Sequence, residues 1–324
     1  MRLKSIAFAL LISSLCCLLS QAGKAQGHDT RSESGKTVAE DDDDLMKMLE
    51  AGTPAPKVEY TSATFKTTRL INGHSIENVA KGVLDFKISH RFTNLNKGIQ
   101  DFFGLDGANI RLGLDYGLSD KFMIGIGRNS FEKEYDGFIK GKLLRQHRGV
   151  PLSISYMGAA SIQTMEANVL PWQTYHLSNR VYYVNQLLLA RKFSKQLSLQ
   201  LMPTHVHYNL VNTKAEPNDI LALGIGGRLK LSQRISLNVE YYYQLPGYRL
   251  DGTTNSLAIG FDIETGGHVF QLHFTNSTGM TERTFVANTT EQWGDGGIRF
   301  GFNISRVFTV VRPKEFKNSR NKIY

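Results

Sequence analysis

The turn sequence Gly117-Leu118-Ser119-Asp120-Lys121 returns twice in similar form further along the chain. Its two relatives read Lys192-Phe193-Ser194-Lys195-Gln196 and Lys230-Leu231-Ser232-Gln233-Arg234. After each copy, every second residue is apolar: Phe122, Ile124 and Ile126; Leu197, Leu199 and Leu201; Ile235, Leu237 and Val239. A period of two predicts a β-strand, because alternate side chains of a strand point to opposite faces. Each copy therefore predicts a tight turn followed by a strand.

The spacing of the copies predicts how the strands are connected. Ser194 and Ser232 lie 38 positions apart, and Ser119 and Ser194 lie 75 apart, almost twice that distance. A unit of two strands, one tight turn and one long loop has this period. Such a unit repeats in an up-and-down β-barrel.

Alternation of this kind predicts twelve strands. Their approximate ranges are 82–92, 110–116, 122–129, 137–146, 151–163, 179–192, 196–208, 220–231, 234–245, 255–264, 267–276 and 296–311. The predicted connections are alternately long and short along the whole series. A barrel with both chain ends in the periplasm requires this order, since its odd-to-even connections lie outside the cell and its even-to-odd connections lie in the periplasm.

The predicted fold class is therefore all-β: a closed antiparallel up-and-down transmembrane β-barrel of about 12 strands, with short periplasmic turns and long outer loops. Closure is expected because lipid offers no hydrogen-bond partner to an unpaired strand edge. A soluble β-sandwich is the alternative, since it shares the alternation of apolar and polar residues. The sandwich gives no reason for long and short loops to alternate, so the barrel is favoured.

Residues 1–25 have the features of a cleaved signal peptide. Two basic residues precede an apolar run over residues 6–19, and small residues follow it. The run is shorter than the ~20 residues that a membrane-spanning helix needs, which disfavours an anchor. Both cysteines, Cys16 and Cys17, lie in this segment. The predicted mature chain therefore contains no disulfide and no cysteine-ligated metal.

The remaining chain divides into a disordered acidic leader at 26–60, a barrel at 61–311 and a basic tail at 312–324. The formal net charge is +9. For an exported chain destined for the cell outer membrane, this charge favours a cationic lumen or contact with anionic lipopolysaccharide over binding of nucleic acid. The expected partners are outer-membrane lipid and lipopolysaccharide, the barrel assembly machinery and a small solute; no cofactor is expected.

Three stretches of the predicted barrel carry a family resemblance. They are GVLDFKISHRF at 82–92, DFFGL at 101–105 and IRLGLDYGLSDK at 110–121. They resemble an uncharacterised family of predicted bacterial outer-membrane β-barrel proteins, a domain of unknown function. The likeness covers most of residues 60–311. It implies the barrel fold and the outer-membrane location, and it implies no substrate and no catalytic residues.

The polar faces of the strands supply the candidate lumen residues. They are Asp85, Lys87, Arg91, Arg111, Asp115, Lys140, Lys142, Glu240, Asp262 and Arg299. In a narrow barrel such charges either pair across the lumen and plug it or line a channel for small solutes. The apolar loop residues Ile99, Phe102 and Phe103 predict that the loop at 94–106 folds inward or caps the mouth. Residues 61–80 fit either an extra strand or a plug.

Two other clusters are weaker candidates for chemistry. His205 and His207 lie two apart on one strand, so both rings point to one face and could bind one metal ion; the alternative is a rim or lumen pair. Ser89, His90 and Asn185, with Ser153 and Ser155, offer the residue types of an outer-membrane acyl hydrolase, but its motif is not visible. No enzyme activity is therefore predicted.

The sequence favours passive or ligand-selective passage of small solutes across the outer membrane. A non-conducting structural or docking barrel for periplasmic partners is the alternative. In that case the acidic leader and the basic tail would bind the partners. An acyl hydrolase is the third hypothesis.

Overall fold

The computed structural model describes residues 58–165 and 176–311. The predicted signal peptide, the basic tail and nearly all of the acidic leader lie outside these ranges. The twelve strands are β1 (Val83–Asn94), β2 (Ala108–Gly117), β3 (Phe122–Asn129), β4 (Glu134–Leu144), β5 (Ser153–Gln163), β6 (Val181–Lys192), β7 (Leu197–Tyr208), β8 (Asp219–Lys230), β9 (Ile235–Gln244), β10 (Ser256–Glu264), β11 (His268–Thr275) and β12 (Arg299–Thr309). Each overlaps its predicted range.

The strands form a single closed antiparallel barrel in which every strand pairs with its neighbours in sequence. Closure is made by β1 and β12, whose register runs from Val83 opposite Thr309 to Asn94 opposite Arg299. Each strand thus has a partner on both sides, as an apolar bilayer requires of a spanning sheet. The predicted fold class is confirmed.

The repeated serine turns have a local explanation. Ser119 Oγ accepts hydrogen bonds from the N–H groups of Lys121 and Phe122, at 3.3 and 3.1 Å. Ser194 and Ser232 accept the corresponding pairs in their own turns. A short hydroxyl side chain can satisfy the backbone of a tight turn in this way. The motif therefore marks the periplasmic end of the barrel, where the short connections lie.

Alternate residues of the strands face opposite sides of the wall. Outward positions such as Ile126, Leu199 and Ile225 are exposed and apolar, whereas inward positions such as Asp115 and Lys140 are fully buried. An apolar outer band and a polar interior are the arrangement that lipid selects. Among the described residues, no helix has the length and apolar character needed to cross a bilayer.

Two segments fill the lumen. Residues 64–79, called here the inner hairpin, enter from the periplasmic end and turn where Leu70 N–H donates to Gly73 O at 2.8 Å. The connection from β11 to β12 descends from the opposite end and carries a short helix, α1 (Glu282–Ala287), with all six residues buried. Residues 61–80 therefore form a plug rather than an extra strand.

The prediction that the loop at 94–106 folds inward is wrong, whereas the alternative, that it caps the mouth, stays a prediction. Ile99, Phe102 and Phe103 are 78, 60 and 53% exposed, on the short 3₁₀ segment Ile99–Gly104. Phe103 N–H closes this loop on Gly98 O at 2.8 Å. The lumen has no room for these side chains, because the inner hairpin and α1 already occupy it. The loop that folds inward is the one after β11.

Candidate functional site in the barrel lumen

The tip of the inner hairpin rests on a single carboxylate. Glu240, fully buried on β9, accepts hydrogen bonds from the backbone N–H groups of Ile71, Asn72 and Gly73, at 3.2, 2.9 and 3.1 Å. Three donors converge because the hairpin turns at Asn72 and Gly73 and points its amides toward the wall. Hydrogen bonds to a charged acceptor are stronger than neutral ones, so this carboxylate is a main anchor of the tip.

Wall side chains also bind the carbonyl groups of the inner hairpin. Lys140 Nζ donates to Ser75 O at 3.0 Å and to Glu77 O at 2.6 Å. The amides of Gln200, Gln271 and Asn303 donate to the carbonyls of His74, Leu70 and Ile71, at 2.7 to 2.8 Å. The hairpin has little regular structure of its own, and the wall supplies the partners that its buried backbone requires.

A charge cluster on β1 and β2 contacts the side chain of Thr68 in the inner hairpin. Lys87 Nζ lies 3.1 Å from Asp85 Oδ2 and also contacts the carboxylate of Asp115. Thr68 Oγ1 of the hairpin lies 3.3 Å from Asp115 Oδ2. All four residues are buried. The pairing of one cation with two anions keeps these charges compatible with burial.

The inner hairpin and α1 meet at the centre of the lumen. Arg69 Nη1 donates to Glu282 Oε1 at 2.8 Å, and His74 Nε2 lies 3.6 Å from the same oxygen. Burial raises the pKa of Glu282, against the opposing effect of Arg69. Burial also lowers the pKa of His74 well below its ordinary value, as do Arg69 and Lys140, so its ring is neutral at pH 7. Arg69 and Glu282 thus form the ionic link between the two inserted segments.

A second ionic cluster holds α1 in place at the end of the barrel that carries the long loops. Arg283 Nε donates to Glu134 Oε1 at 2.9 Å, and its guanidinium lies 4.3 Å from the centre of the Tyr182 ring. The guanidinium also contacts Glu132, while Thr281 Oγ1 donates to Glu134 Oε2 at 2.7 Å. These contacts bind α1 to the wall at the start of β4.

Apolar packing completes the filling on one side of the lumen. Phe65, Leu70 and Ile76 of the inner hairpin and Phe285 of α1 belong to one buried cluster with inward-facing residues of the wall. The wall members include Met123, Phe138, Met157, Met202 and Tyr242. The lumen is therefore amphipathic, with an apolar side that packs against the inserted segments and a polar side that binds their backbone.

The structure places the sequence-predicted lumen residues on the inner side of the wall, in two kinds of environment. Some contact the inserted segments directly: Lys87, Arg91, Asp115, Lys140, Lys142 and Glu240. The others pair mainly within the wall and its loops, namely Asp85 with Lys87, Arg111 with Asp136, Asp262 with Gln271 and Arg299 with Glu291. Most of the set therefore surrounds the plug.

Sequence reasoning missed the residues of the inserted segments. Arg69, His74, Glu282 and Arg283 belong to non-strand regions, where no alternation shows which side chains turn inward. Glu134 was missed because its strand begins three positions earlier than predicted. The only signal for α1 is the Thr281-x-x-Thr284 spacing, which forms a reciprocal cap at the helix start.

The structure does not assemble the hydrolase residue types. Ser89 lies on the inner side of β1 and His90 on the outer side, where its ring stacks on Phe302 at 4.9 Å. Ser155 is fully buried on β5. Asn185 lies 3.4 Å from His205 on the outer face of β6 and β7. Within the part of the chain that the structure describes, these serines form no set with His90 and Asn185.

A narrow cleft remains at the periplasmic end, beside the inner hairpin. It has a volume of about 1190 Å³ and is lined by apolar residues such as Val79 and Phe308 and by polar ones that include Lys66, Glu77 and Glu264. Lys66 and Glu264 form an ion pair across it. The cleft reaches Thr68 and Asp85, so it leads from the barrel end toward the charge cluster of the lumen.

These features define a class: a closed twelve-stranded membrane barrel, located in the outer membrane, whose polar lumen is filled by two of its own segments. The sequence matches the model of the family described as "Membrane bound beta barrel domain (DUF5777)" over residues 65–308. The chain belongs to this family. No curated protein matches it in sequence.

Several solved barrels are similar in fold. The NanC porin superposes with a TM-score of 0.44 at 9% identity, covering 70% of this chain and 100% of that one. An outer membrane channel from Pseudomonas putida F1 gives a TM-score of 0.41 at 14% identity, covering 72 and 98%. Outer membrane phospholipase A from Escherichia coli gives 0.38 at 11% identity, covering 69 and 89%.

Proposed function

We propose that the protein is a gated passage for small polar solutes, closed in this structure by the inner hairpin and α1. The observation that carries the proposal is the chemistry of the wall around the hairpin. Glu240, Lys140 and the charge cluster at Lys87 bind the hairpin mainly through its backbone and hydroxyl groups. Water or a polar solute offers the same kinds of partner, so these wall groups would remain satisfied after the hairpin moves.

The cost of burying charge supports a lumen that is at times hydrated. Removing an ion from water costs several kcal/mol even after relaxation, and apolar filling of the same volume is often as stable or more stable. A permanently closed barrel gains little from Lys87, Arg91, Lys140 and Glu240 in its interior. Groups of both signs along the wall, in a narrow bore, suit small solutes that carry polar or charged groups.

A non-conducting docking barrel is the second candidate, and the apolar cluster favours it. Phe65, Leu70 and Ile76 are at most 3% exposed against the wall. Withdrawal of the hairpin would expose these side chains and their wall partners to water, at roughly 25 cal/mol for each Å² of apolar surface. A barrel used only as a platform would keep them buried, and its charged chain ends would bind periplasmic partners.

A reversible disulfide between the inner hairpin and the wall can distinguish the gated passage from the docking barrel. An ideal Cβ on Gly226 of β8 lies 3.5 Å from Leu70 Cγ, so Leu70→Cys with Gly226→Cys brings two thiols within reach across the plug interface. The predicted mature chain has no other cysteine. We expect conductance steps in a planar bilayer from the reduced protein, their loss on oxidation and their return with reductant.

The single variants Leu70→Cys and Gly226→Cys, treated with the same oxidant, control for effects of substitution. Steps that persist unchanged in the oxidised double variant would show that the hairpin is not the gate. A further variant replaces residues 64–79 by a flexible linker. If both wild type and this variant, inserted and folded, lack steps at every voltage, the passage is excluded and the docking barrel is supported.

A further inference from the structure

A separate cluster of metal-ligating side chains lies on the outer face of the barrel, away from the lumen. His205 Nε2 is 2.9 Å and His207 Nδ1 is 2.7 Å from the same oxygen, Oδ1 of Asp219. The three donor atoms lie within 4.8 Å of one another. The two histidine side chains are about one third exposed and Asp219 about one half, so the cluster is open to the outside.

Strand register holds the cluster together. His205 and His207 are two residues apart on β7 and therefore point to the same face. His207 pairs directly with Asp219 at the start of β8, while His205 pairs with Asn185 of β6. The cluster thus joins two hydrogen-bonded strands, with Asn185 on a third beside it, near the end that carries the long loops. A site on strands is positioned more precisely than one on loops.

The hydrogen bonding around Asp219 is unusual for a simple ion pair. Both imidazoles direct a nitrogen at one carboxylate oxygen, so each must carry a proton on that nitrogen to avoid repulsion. A divalent cation can take the place of these two protons and bind all three donors, once each proton has moved to the other nitrogen of its ring. Zinc–nitrogen and zinc–oxygen bonds of ~2.0–2.2 Å place tetrahedral ligand atoms ~3.3 Å apart. The two nitrogen–oxygen distances would need to lengthen by about half an ångström, and the two nitrogens, which lie within 4.8 Å of each other, would need to come to ~3.3 Å. Rotation about the side-chain torsions allows both changes.

We propose that His205, His207 and Asp219 bind one divalent transition-metal ion of the zinc class. Two imidazole nitrogens and one carboxylate favour zinc, copper or nickel, whereas magnesium and calcium prefer an all-oxygen set. Three protein ligands leave at least one coordination position open toward the outside. The site is independent of the lumen and of the plug.

Asn185 is the residue placed to orient His205 as a ligand. Asn185 Nδ2 lies 3.4 Å from His205 Nδ1, the ring nitrogen that faces away from Asp219, and the Tyr156 hydroxyl bonds to the same amide group. Metal binding through His205 Nε2 requires the amide to turn over, so that Asn185 Oδ1 accepts from His205 Nδ1–H and Nδ2 donates to the Tyr156 hydroxyl. Partners of this kind orient a ligating histidine and select its tautomer. Tyr183 packs beside His207, with ring centres 6.4 Å apart.

The test is a metal titration of the purified barrel in detergent, without a histidine tag. We expect one Co²⁺ ion per barrel, with the visible absorption of a low-coordinate site, and displacement of Co²⁺ by Zn²⁺. Asn185→Ala should weaken binding about 10–100-fold, the usual effect of removing a group that orients a ligand. His207→Gln and Asp219→Asn, which remove ligands, should weaken binding more.

The matched control is His90→Gln. His90 is also on the outer face, but it stacks with Phe92 and Phe302, and no carboxylate contact is seen for it in the described residues. This variant should bind Co²⁺ like the wild type. If wild type binds no tighter than a folded His205→Gln/His207→Gln variant, the proposal is overturned and the cluster is only hydrogen-bonded.

Discussion

Single residues account both for the tight turns and for the binding of the inner hairpin to the wall. Ser119 satisfies two backbone amides of its turn, and Glu240 satisfies three amides at the hairpin tip. The hydrogen bonds of Ser119 are local, because they join residues two and three positions apart in the chain. The hydrogen bonds of Glu240 join residues 167 to 169 positions apart in the chain. Individual side chains therefore act at both ranges, but only the local contact produces a motif that repeats.

Gly73 lies where the hairpin tip approaches the wall closely. A Cβ at this position would lie 2.1 Å from the hydroxyl oxygen of Tyr242, which is fully buried and cannot easily move. We expect Gly73→Ala to displace the tip and to raise the frequency of conductance steps in a planar bilayer. The matched control is Gly267→Ala, because a Cβ there meets nothing within 4 Å. Equal step frequencies in the two variants would contradict this account.

At the scale of elements, the barrel is closed by two insertions of different origin. The inner hairpin precedes β1, whereas α1 belongs to the last long loop. They touch through Arg69 and Glu282, and each also has its own ion pair with the wall, Glu77 with Lys142 and Arg283 with Glu134. Movement of one insertion would remove a buried partner from the other, so the two should loosen together.

Arg283 is the principal anchor of α1. Arg283→Ala leaves Glu134 buried without its cation, and breaking a buried pair in this way costs ~3–5 kcal/mol. We expect faster hydrogen exchange of the α1 amides, measured by mass spectrometry, because the helix separates from the wall more often. Lys97→Ala is the control, since its pair with Asp101 is exposed and contributes ~0–1 kcal/mol. Unchanged exchange in Arg283→Ala would show that packing alone holds the helix.

At the scale of the whole molecule, the barrel separates a lipid-facing surface from a filled interior. Ile225 lies at the middle of β8 and Leu229 near its periplasmic end, and both face outward and are exposed. We expect Ile225→Lys to lower the free energy of unfolding in lipid by ~2–4 kcal/mol, and Leu229→Lys by only ~0–1 kcal/mol. The reason is that a charge costs most at the bilayer midplane.

Reversible denaturation from lipid vesicles measures both variants. Equal small effects would mean that β8 does not cross the hydrocarbon. Folding of the same variants in detergent micelles provides a control, because a micelle adapts its shape around a charge more readily than a bilayer does.

The sequence alone determined the wall of this protein. Strand number, the direction of each face and the serine turns follow from patterns that repeat every 2 residues or every two strands. These properties are local, so any short stretch contains its own evidence. The residues assigned to the polar faces, from Asp85 to Arg299, came from that periodicity. The predicted alternation of loop lengths fails at one place, because the outer connection from β3 to β4 has four residues and the periplasmic one from β4 to β5 has eight.

Only the tertiary structure decided what fills the wall. Apolar composition pointed to Ile99, Phe102 and Phe103, yet the loop after β11 and the segment before β1 enter instead. Arg69 and Glu282 are 213 positions apart, and His205 meets Asp219 only through the register of β7 and β8. The physical reason is that a contact inside a closed barrel depends on curvature, register and the volume already occupied, none of which has a period along the chain.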